Sequence, residues 1–312
     1  MAKYKAAGFL PQAGSFPVNM IPITRMLLIT GATGFIGRSL MACLEREGRE
    51  AKAYHGRINN PLALREQLQG VDKVIHLAGS ETRGRNRLLR HVDIEGTERL
   101  IEECRRASVQ HLIVVSRIGA DPGALHPLLQ AKGEVERRVR KSRIPYTIVR
   151  SATLFGRGDR FFEILVGLAV WSWPFVWLPG GGNIAMQPLW VEDLARCLVA
   201  TLDRPDLLNK TITVAGEERF RYRQLMTELL AVAGYGRAPV PLPLVLLRPL
   251  AGLLFGWWYW PPVSRYFVDR FFVPEVTEHD AVRRHFGFHP ARISETIVYL
   301  YRPGLRWRLF RR

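Results

Sequence analysis

Residues Leu28 to Leu40 read Leu-Ile-Thr-Gly-Ala-Thr-Gly-Phe-Ile-Gly-Arg-Ser-Leu, a glycine-rich turn between a short apolar run and a helix-like segment. Gly31, Gly34 and Gly37 have the spacing G-x-x-G-x-x-G. The first glycine permits a sharp turn, the second permits close approach of a pyrophosphate, and the third permits tight packing of the helix on the strand. The helix N-terminus that follows offers free N–H groups and a positive dipole end to phosphates. The context of strand, turn and helix therefore predicts dinucleotide binding.

Short apolar strands alternate with helices through the first half of the chain. We predict strands at residues 25–30, 50–54, 73–77, 111–116 and 146–150. We predict helices at residues 35–47, 61–68, 87–107 and 124–142, with Asn60 as an N-cap and Pro61 at the first helical position. This alternation is typical of α/β proteins and predicts a Rossmann-type, doubly wound parallel sheet.

The chain divides into three predicted parts. Residues 1–25 contain three prolines, no hydrophobic periodicity and no apolar core of the kind a secretory signal needs, so we interpret them as a tail. Residues 26–150 form the predicted dinucleotide-binding core. Residues 151–312 form a smaller C-terminal α/β lobe interleaved with that core, with apolar, Trp-rich stretches at 164–178 and 243–260. Between these stretches we predict a strand and helix over 187–202, a strand at 211–214 and a helix at 222–233.

Net charge and cysteine content restrict the partners and the compartment. The formal charge of +17 indicates an acidic partner. The chain shows no helix-turn-helix, zinc or RNA-binding signature, so we expect no nucleic acid. Cys43, Cys104 and Cys197 fall in predicted helices without metal-ligand spacing, which favours buried, reduced thiols in a cytoplasmic protein and no metal site.

The apolar stretches indicate a membrane surface as the acidic partner. Pro174 interrupts the first stretch and Arg248 and Pro249 the second, whereas a transmembrane span needs about 20 apolar residues. Both stretches are rich in Trp, and residues 302–312 alternate arginines with apolar groups, a pattern typical of anionic membrane surfaces. We predict a peripheral protein on the inner, cytoplasmic face of a membrane. The alternative is a buried lobe core with a solvated basic tail.

Several segments together resemble a known superfamily. They are residues 30–37 (Thr-Gly-Ala-Thr-Gly-Phe-Ile-Gly), 72–79 (Asp-Lys-Val-Ile-His-Leu-Ala-Gly), 92–97 (Val-Asp-Ile-Glu-Gly-Thr), 146–150 with Phe155-Gly156, and 187–195 (Gln-Pro-Leu-Trp-Val-Glu-Asp-Leu-Ala). Over residues 25–301 the chain resembles the extended or atypical short-chain dehydrogenases/reductases. Within them it is most similar to the branch that holds the NDUFA9-like accessory subunit of respiratory complex I and NmrA-like proteins.

The resemblance implies a catalytic pattern that this chain does not complete. Active members of the superfamily place a Tyr four residues before a Lys, which lowers the pKa of the Tyr and holds the nicotinamide ribose. The matching lysine is Lys132, and the position four before it is Leu128, which cannot transfer a proton. Ser116 stands where the family places a carbonyl-polarising Ser. Lys132 and Ser116 are the candidate catalytic residues. His126 is close to this position in sequence but lies two residues out of register on the helix.

The cofactor is predicted to be NADP(H) rather than NAD(H). The second strand is followed by Tyr-His-Gly-Arg, without the acidic residue that binds the 2′-hydroxyl of NAD. Arg38 and Arg57 are candidates for a 2′-phosphate, although both are also interpretable as solvated charges. A helix and strand usual after this point are missing, which shortens the adenosine side. The predicted cofactor-binding residues are Gly31, Thr33, Gly34, Phe35, Ile36, Gly37, Arg38, Arg57, Ala78, Gly79 and Lys132.

Three functions remain open at this point. The first is a catalytically reduced nucleotide binder with a structural or redox-sensing role at a membrane or membrane protein complex. The second is an active NADP-dependent oxidoreductase or sugar-nucleotide epimerase or dehydratase that uses a different proton donor. The third is a regulator that binds a protein partner according to the redox state of its nucleotide.

Overall fold

A computed structural model describes residues 26–81, 85–255 and 263–300. The predicted tail at 1–25, the aromatic run at 257–260 and the basic segment at 302–312 lie outside the described residues.

The described strands and helices follow the predicted alternation. The strands are β1 Met26–Thr30, β2 Ala51–Ala53, β3 Val71–His76, β4 His111–Arg117, β5 Tyr146–Ser151, β6 Leu154–Phe155, β7 Phe175–Pro179, β8 Ala185–Met186, β9 Leu189–Trp190, β10 Lys210–Val214, β11 Phe220–Arg221 and β12 Ala238–Leu242. The helices are α1 Phe35–Arg46, α2 Pro61–Gln67, α3 Asn86–Leu88, α4 Gly96–Arg106, α5 Pro127–Lys141, α6 Phe162–Trp171, α7 Val191–Thr201, α8 Tyr222–Val232, α9 Leu244–Phe255, α10 Arg265–Asp269, α11 Ala281–Phe286 and α12 Ile293–Thr296.

Six strands form one parallel sheet in the order β2-β1-β3-β4-β5-β10. Helices α1 and α7 cover one face, where Leu40 and Leu198 are fully buried. Helices α2, α4 and α5 cover the other face through side chains such as Leu64 and Val139. Burial on both faces explains why the strands are apolar throughout rather than alternating. The predicted doubly wound, Rossmann-type sheet is confirmed.

Local signals placed several boundaries correctly. The Asn60 side chain accepts hydrogen bonds from the N–H groups of Leu62 and Ala63 at 3.1 and 3.3 Å, so the predicted N-cap of α2 is confirmed. Cys43, Cys104 and Cys197 are buried and free, as expected.

The helix predicted over residues 87–107 is present, but part of it is a π-helix. Helix α3 passes into a π-helix at Leu89–Glu95 before α4 begins. Asp93 lies in this π-helix, and its buried carboxylate accepts hydrogen bonds from the backbone N–H and the hydroxyl of Ser80. Helical periodicity does not reveal a π-turn, because the change in spacing is a single residue.

The second half of the chain contributes β10 to the central sheet and builds a lobe beside it. The lobe core packs α6, β7, α8 and part of α9 around Phe155, Phe162 and Tyr222. Within the described ranges, none of the helices is long and apolar enough to cross a membrane.

Candidate functional site

A cleft of about 420 Å³ lies at the carboxyl ends of β1, β3, β4 and β5. The chain runs from β1 outward to β2 on one side and to β3 on the other, so the strand order reverses between β1 and β3. Open α/β sheets bind ligands at such a switch point. The glycine turn forms one wall of the cleft, and residues of the C-terminal lobe form the opposite wall.

The three glycines of the turn have different structural roles. A Cβ on Gly31, whose φ is +73°, would lie 2.8 Å from the backbone nitrogen of Ala78. A Cβ on Gly37 would lie 2.3 Å from the carbonyl oxygen of Gly31, so the start of α1 packs directly on the turn. Gly34 is exposed in the cleft, and a Cβ there would meet only the Gly31 carbonyl, at 3.1 Å. Gly31 and Gly37 therefore shape the turn, whereas Gly34 keeps its surface open.

The structure brings most of the predicted cofactor residues together, and the cleft is lined by Gly31, Gly34, Phe35, Ile36, Gly37, Arg38, Gly79 and Lys132. Three others lie outside the lining. Thr33 uses its carbonyl oxygen to accept a hydrogen bond from Arg38 at 2.8 Å. Ala78 backs the turn at Gly31. Arg57 is exposed, and its carbonyl oxygen accepts hydrogen bonds from Tyr54 and Asn60.

Lys132 reaches into the cleft from α5. Its Nζ donates to Oδ1 of Asp93 at 3.1 Å, and Oδ2 of Asp93 accepts from the Ser80 hydroxyl at 2.6 Å. A Cβ on Gly79 would lie 3.1 Å from Oδ1 of Asp93, so the missing side chain of Gly79 leaves room for the carboxylate that holds Lys132. Lys132 is thus held by a buried carboxylate and has two more N–H groups to offer to a hydroxyl group.

Leu128 lies one helical turn before Lys132 and is buried. It packs with Leu89, Ala131 and Tyr266 and is not part of the cleft lining. The Tyr266 hydroxyl donates to the side-chain oxygen of Asn86 at 2.7 Å, and burial raises the pKa of this tyrosine. The position that the resemblance assigns to a proton donor is therefore occupied by a core leucine.

Ser116 and His126 are each engaged by neighbouring groups. The Ser116 hydroxyl lines the cleft but donates to Oε1 of buried Glu136 at 2.7 Å. His126 precedes α5, with Nδ1 3.3 Å from the Arg248 guanidinium and 3.5 Å from Asp269. The histidine makes a contact at the end of the helix and is not among the residues of the cleft wall.

Charged residues that the sequence did not reveal cross the inner end of the cleft. The Arg117 guanidinium donates to both Glu81 and Glu275. Arg270 donates to Glu81 and, at 3.0 Å, to the hydroxyl of Thr153. Burial alone would raise the pKa of Glu81, but the two arginines outweigh burial and lower it to about 2. These ion pairs join the sheet to the C-terminal lobe. Each of the four charged side chains in them, Arg117, Arg270, Glu81 and Glu275, has an oppositely charged partner.

Asp159 is the second acidic residue in the cleft wall, and it also fixes local structure. Its Oδ1 accepts the N–H groups of Phe161 and Phe162 at 3.0 and 2.6 Å, which caps α6. Its Oδ2 accepts the Tyr299 hydroxyl. Burial raises the pKa of Asp159 to about 6, although these hydrogen bonds oppose the shift. The adjacent Arg160 lines the cleft mouth, and no sequence signal pointed to it.

Comparison with known proteins agrees with this geometry. A family model described as NAD(P)H-binding matches residues 45–160. The photosystem II assembly factor Ycf39 of Trieres chinensis is 26% identical over 75% of this chain and 77% of its own length. The mitochondrial NADH-ubiquinone oxidoreductase 40 kDa subunit of Neurospora crassa is 26% identical, with 87% of this chain and 78% of that protein covered.

Solved structures show the same fold at lower sequence identity. The structure described as gox2253 has a TM-score of 0.70 at 20% identity and covers 88% of this chain and 96% of its own. A short-chain dehydrogenase/reductase superfamily protein of Agrobacterium tumefaciens with bound NAD has a TM-score of 0.66 at 19% identity, covering 91% and 98%. The chain therefore has the Rossmann-type fold of these structures, matches an NAD(P)H-binding family model over residues 45–160, and is similar to Ycf39 and to the NDUFA9-like subunits of complex I.

Proposed function

We propose that this chain holds NADP(H) without the standard dehydrogenase reaction, as a structural or redox-sensing component at the cytoplasmic face of a membrane or of a membrane complex. One observation carries the proposal. The cleft has a glycine cradle and a lysine fixed by Asp93, whereas the position of the proton donor holds the buried Leu128.

The position of Arg38 supports NADP(H) as the nucleotide. Its guanidinium is exposed on the cleft wall, where it donates to the Thr33 carbonyl and lies 3.2 Å from the point that a Cβ of Gly158 would occupy. A guanidinium held at such a rim suits bidentate binding of a phosphate. No carboxylate follows β2 to compete for that role, because the chain continues as Tyr54-His55.

The acidic groups of the cleft wall support a reduced catalytic role. Glu81 stays ionised because its pKa is held at about 2. The Asp159 carboxylate already accepts hydrogen bonds from backbone N–H groups and from the Tyr299 hydroxyl. Its position in the cleft lining, together with a pKa raised to about 6 by burial, favours one second candidate, an oxidoreductase that takes its proton from Asp159. A turnover assay separates the two candidate functions. A nucleotide binder without dehydrogenase activity predicts no oxidation of NADPH by aldehydes or ketones. An oxidoreductase that uses Asp159 predicts turnover that rises as pH falls through 6.

The names of the relatives support a membrane complex as the partner. Relatives are named as subunits of NADH dehydrogenase in Neurospora crassa and in mouse, and another is named as an assembly factor of photosystem II. A chain that binds its nucleotide without turnover suits a role inside such an assembly.

Calorimetric titration with NADPH and NADH tests the nucleotide directly. We expect NADPH to bind at least about tenfold more tightly than NADH, which corresponds to about 1.4 kcal/mol. Arg38→Ala is expected to remove most of that difference, because NADH lacks the phosphate. Arg57→Ala is the matched control, since Arg57 lies outside the cleft lining. Equal affinities in the unmodified chain, or a preference that survives Arg38→Ala, would contradict the proposal.

A further inference from the structure

The exposed hydrophobic side chains of the described residues are concentrated in one region. Of thirteen exposed large hydrophobic side chains, nine lie in two segments of the C-terminal lobe. They are Trp171, Trp173, Phe175, Trp177, Val245, Leu246, Leu250, Leu253 and Leu254, which we call the Trp–helix face. Single exposed hydrophobic residues are ordinary, but a contiguous group of this size indicates an interaction surface.

The two segments adjoin in the fold. Strand β7, which carries Phe175 and Trp177, pairs in parallel with β12 along its whole length. Helix α9 begins two residues after β12 ends. The first residue of α9, Leu244, lies 3.2 Å from the point that a Cβ of Gly180 would occupy, directly after β7. The start of α9 is therefore beside the end of the Trp-bearing strand.

Apart from Arg248, which pairs with Asp269 at 2.8 Å, helix α9 is apolar on both sides. Leu244, Leu247 and Ala251 pack against the lobe core, while Val245 and Leu253 on the other side are 78% and 76% exposed. A surface helix of a soluble domain normally shows polar residues on its outer side. With 12 residues, α9 is too short to cross a bilayer, so its outer side suits a position in the plane of a surface.

The charges around the Trp–helix face favour a lipid surface. Residues 164–191 contain no charged side chain, and residues 229–268 contain three arginines and no acidic residue. Trp side chains prefer the membrane–water interface, and arginines near it are attracted to anionic headgroups. A protein partner would gain specificity from charges of both signs, whereas the acidic group beside these segments, Asp269, is already paired with Arg248.

We propose that the C-terminal lobe binds an anionic lipid surface directly, with the Trp–helix face inserted at the headgroup boundary. This inference rests on the membrane association proposed above and assigns the contact to lipid rather than to another subunit. None of the residues of the Trp–helix face lines the cleft, so nucleotide binding and lipid binding are measured on different residues.

Flotation of the full chain with lipid vesicles tests the proposal. The vesicles are phosphatidylcholine with or without phosphatidylglycerol. We expect binding to the anionic vesicles, and at least about tenfold weaker binding by the triple variant Trp171→Ser/Trp173→Ser/Leu253→Ser, since the variant removes three apolar side chains that would leave water at the headgroup boundary. The control Leu62→Ser/Leu125→Ser removes equally exposed leucines elsewhere and is expected to bind as the unmodified chain does.

Calorimetry with NADPH on every variant keeps the outcomes distinct. Unchanged NADPH binding in the triple variant shows that it is folded. Unchanged vesicle binding by the triple variant would overturn the assignment of the face while leaving membrane association intact. No vesicle binding by a chain that still binds NADPH would overturn the lipid contact. A dimer that becomes monomeric in the triple variant, without vesicle binding, would show that the face joins two copies instead.

Discussion

Gly34→Ala separates folding from nucleotide binding at the glycine turn. Gly34 has φ −72° and ψ 178°, a conformation that alanine adopts without strain. The added Cβ meets only the Gly31 carbonyl oxygen, at 3.1 Å, so a shift of a few tenths of an ångström relieves the contact. We expect a stability loss of at most about 1 kcal/mol, the usual scale for a small change at an N-cap.

Nucleotide binding by Gly34→Ala is expected to fall much more. The new methyl group projects from an exposed position in the cleft wall, where the backbone must approach the pyrophosphate. Crowding of a well-packed contact by one methyl group costs about 1–3 kcal/mol, which corresponds to about 5- to 150-fold weaker binding. The assay is calorimetric titration with NADPH, paired with urea unfolding of the same preparation.

Gly37→Ala is the informative counterpart. Its Cβ would lie 2.3 Å from the Gly31 carbonyl oxygen and 2.5 Å from that of Ala32, so the turn itself must move. We expect this variant to lose both stability and binding. Gly34→Ala with unchanged NADPH affinity and unchanged stability would refute the reasoning, because the pyrophosphate would then not lie over Gly34.

Three further predictions concern stability. Arg117→Met is expected to cost about 3–5 kcal/mol in urea unfolding, since buried Glu275 loses its arginine and Glu81 keeps only Arg270. The exposed pair Arg46–Glu192 is the control, where Arg46→Met should cost under about 1 kcal/mol, and equal losses would contradict the account. Asp159 has a folded pKa of about 6 against 3.8 unfolded, so the folded state binds more protons between these values and loses stability as pH rises through that window. Relative to Asp159→Asn, the unmodified chain should therefore lose about 2 kcal/mol between pH 4 and pH 7. A pH-independent difference would show that Asp159 ionises normally. Asn60→Ala should destabilise the protein by about 1 kcal/mol, because two N–H groups of α2 lose their acceptor. Thermal melting measures this loss, and a change within experimental error would mean that solvent replaces the cap.

Local sequence signals predicted most of the fold. The alternation of strands and helices, the N-cap at Asn60 and the glycine turn each depend on residues close together in the chain, so spacing alone reveals them. The π-helix at Leu89–Glu95 escaped prediction because it keeps the overall helical pattern and changes only the local hydrogen-bond step.

The sequence by itself determined the parallel sheet and the turn between β1 and α1. Only the tertiary structure decided which side chains meet in the cleft. Arg117 and Glu275 are 158 residues apart, and their contact depends on how the C-terminal lobe packs on the sheet. The same packing decided that Arg38 lies at the cleft while Arg57 does not, and that the Trp-bearing strand stands beside α9. The physical reason is that side-chain periodicity specifies local conformation, whereas contacts between distant segments depend on the three-dimensional arrangement of the whole domain.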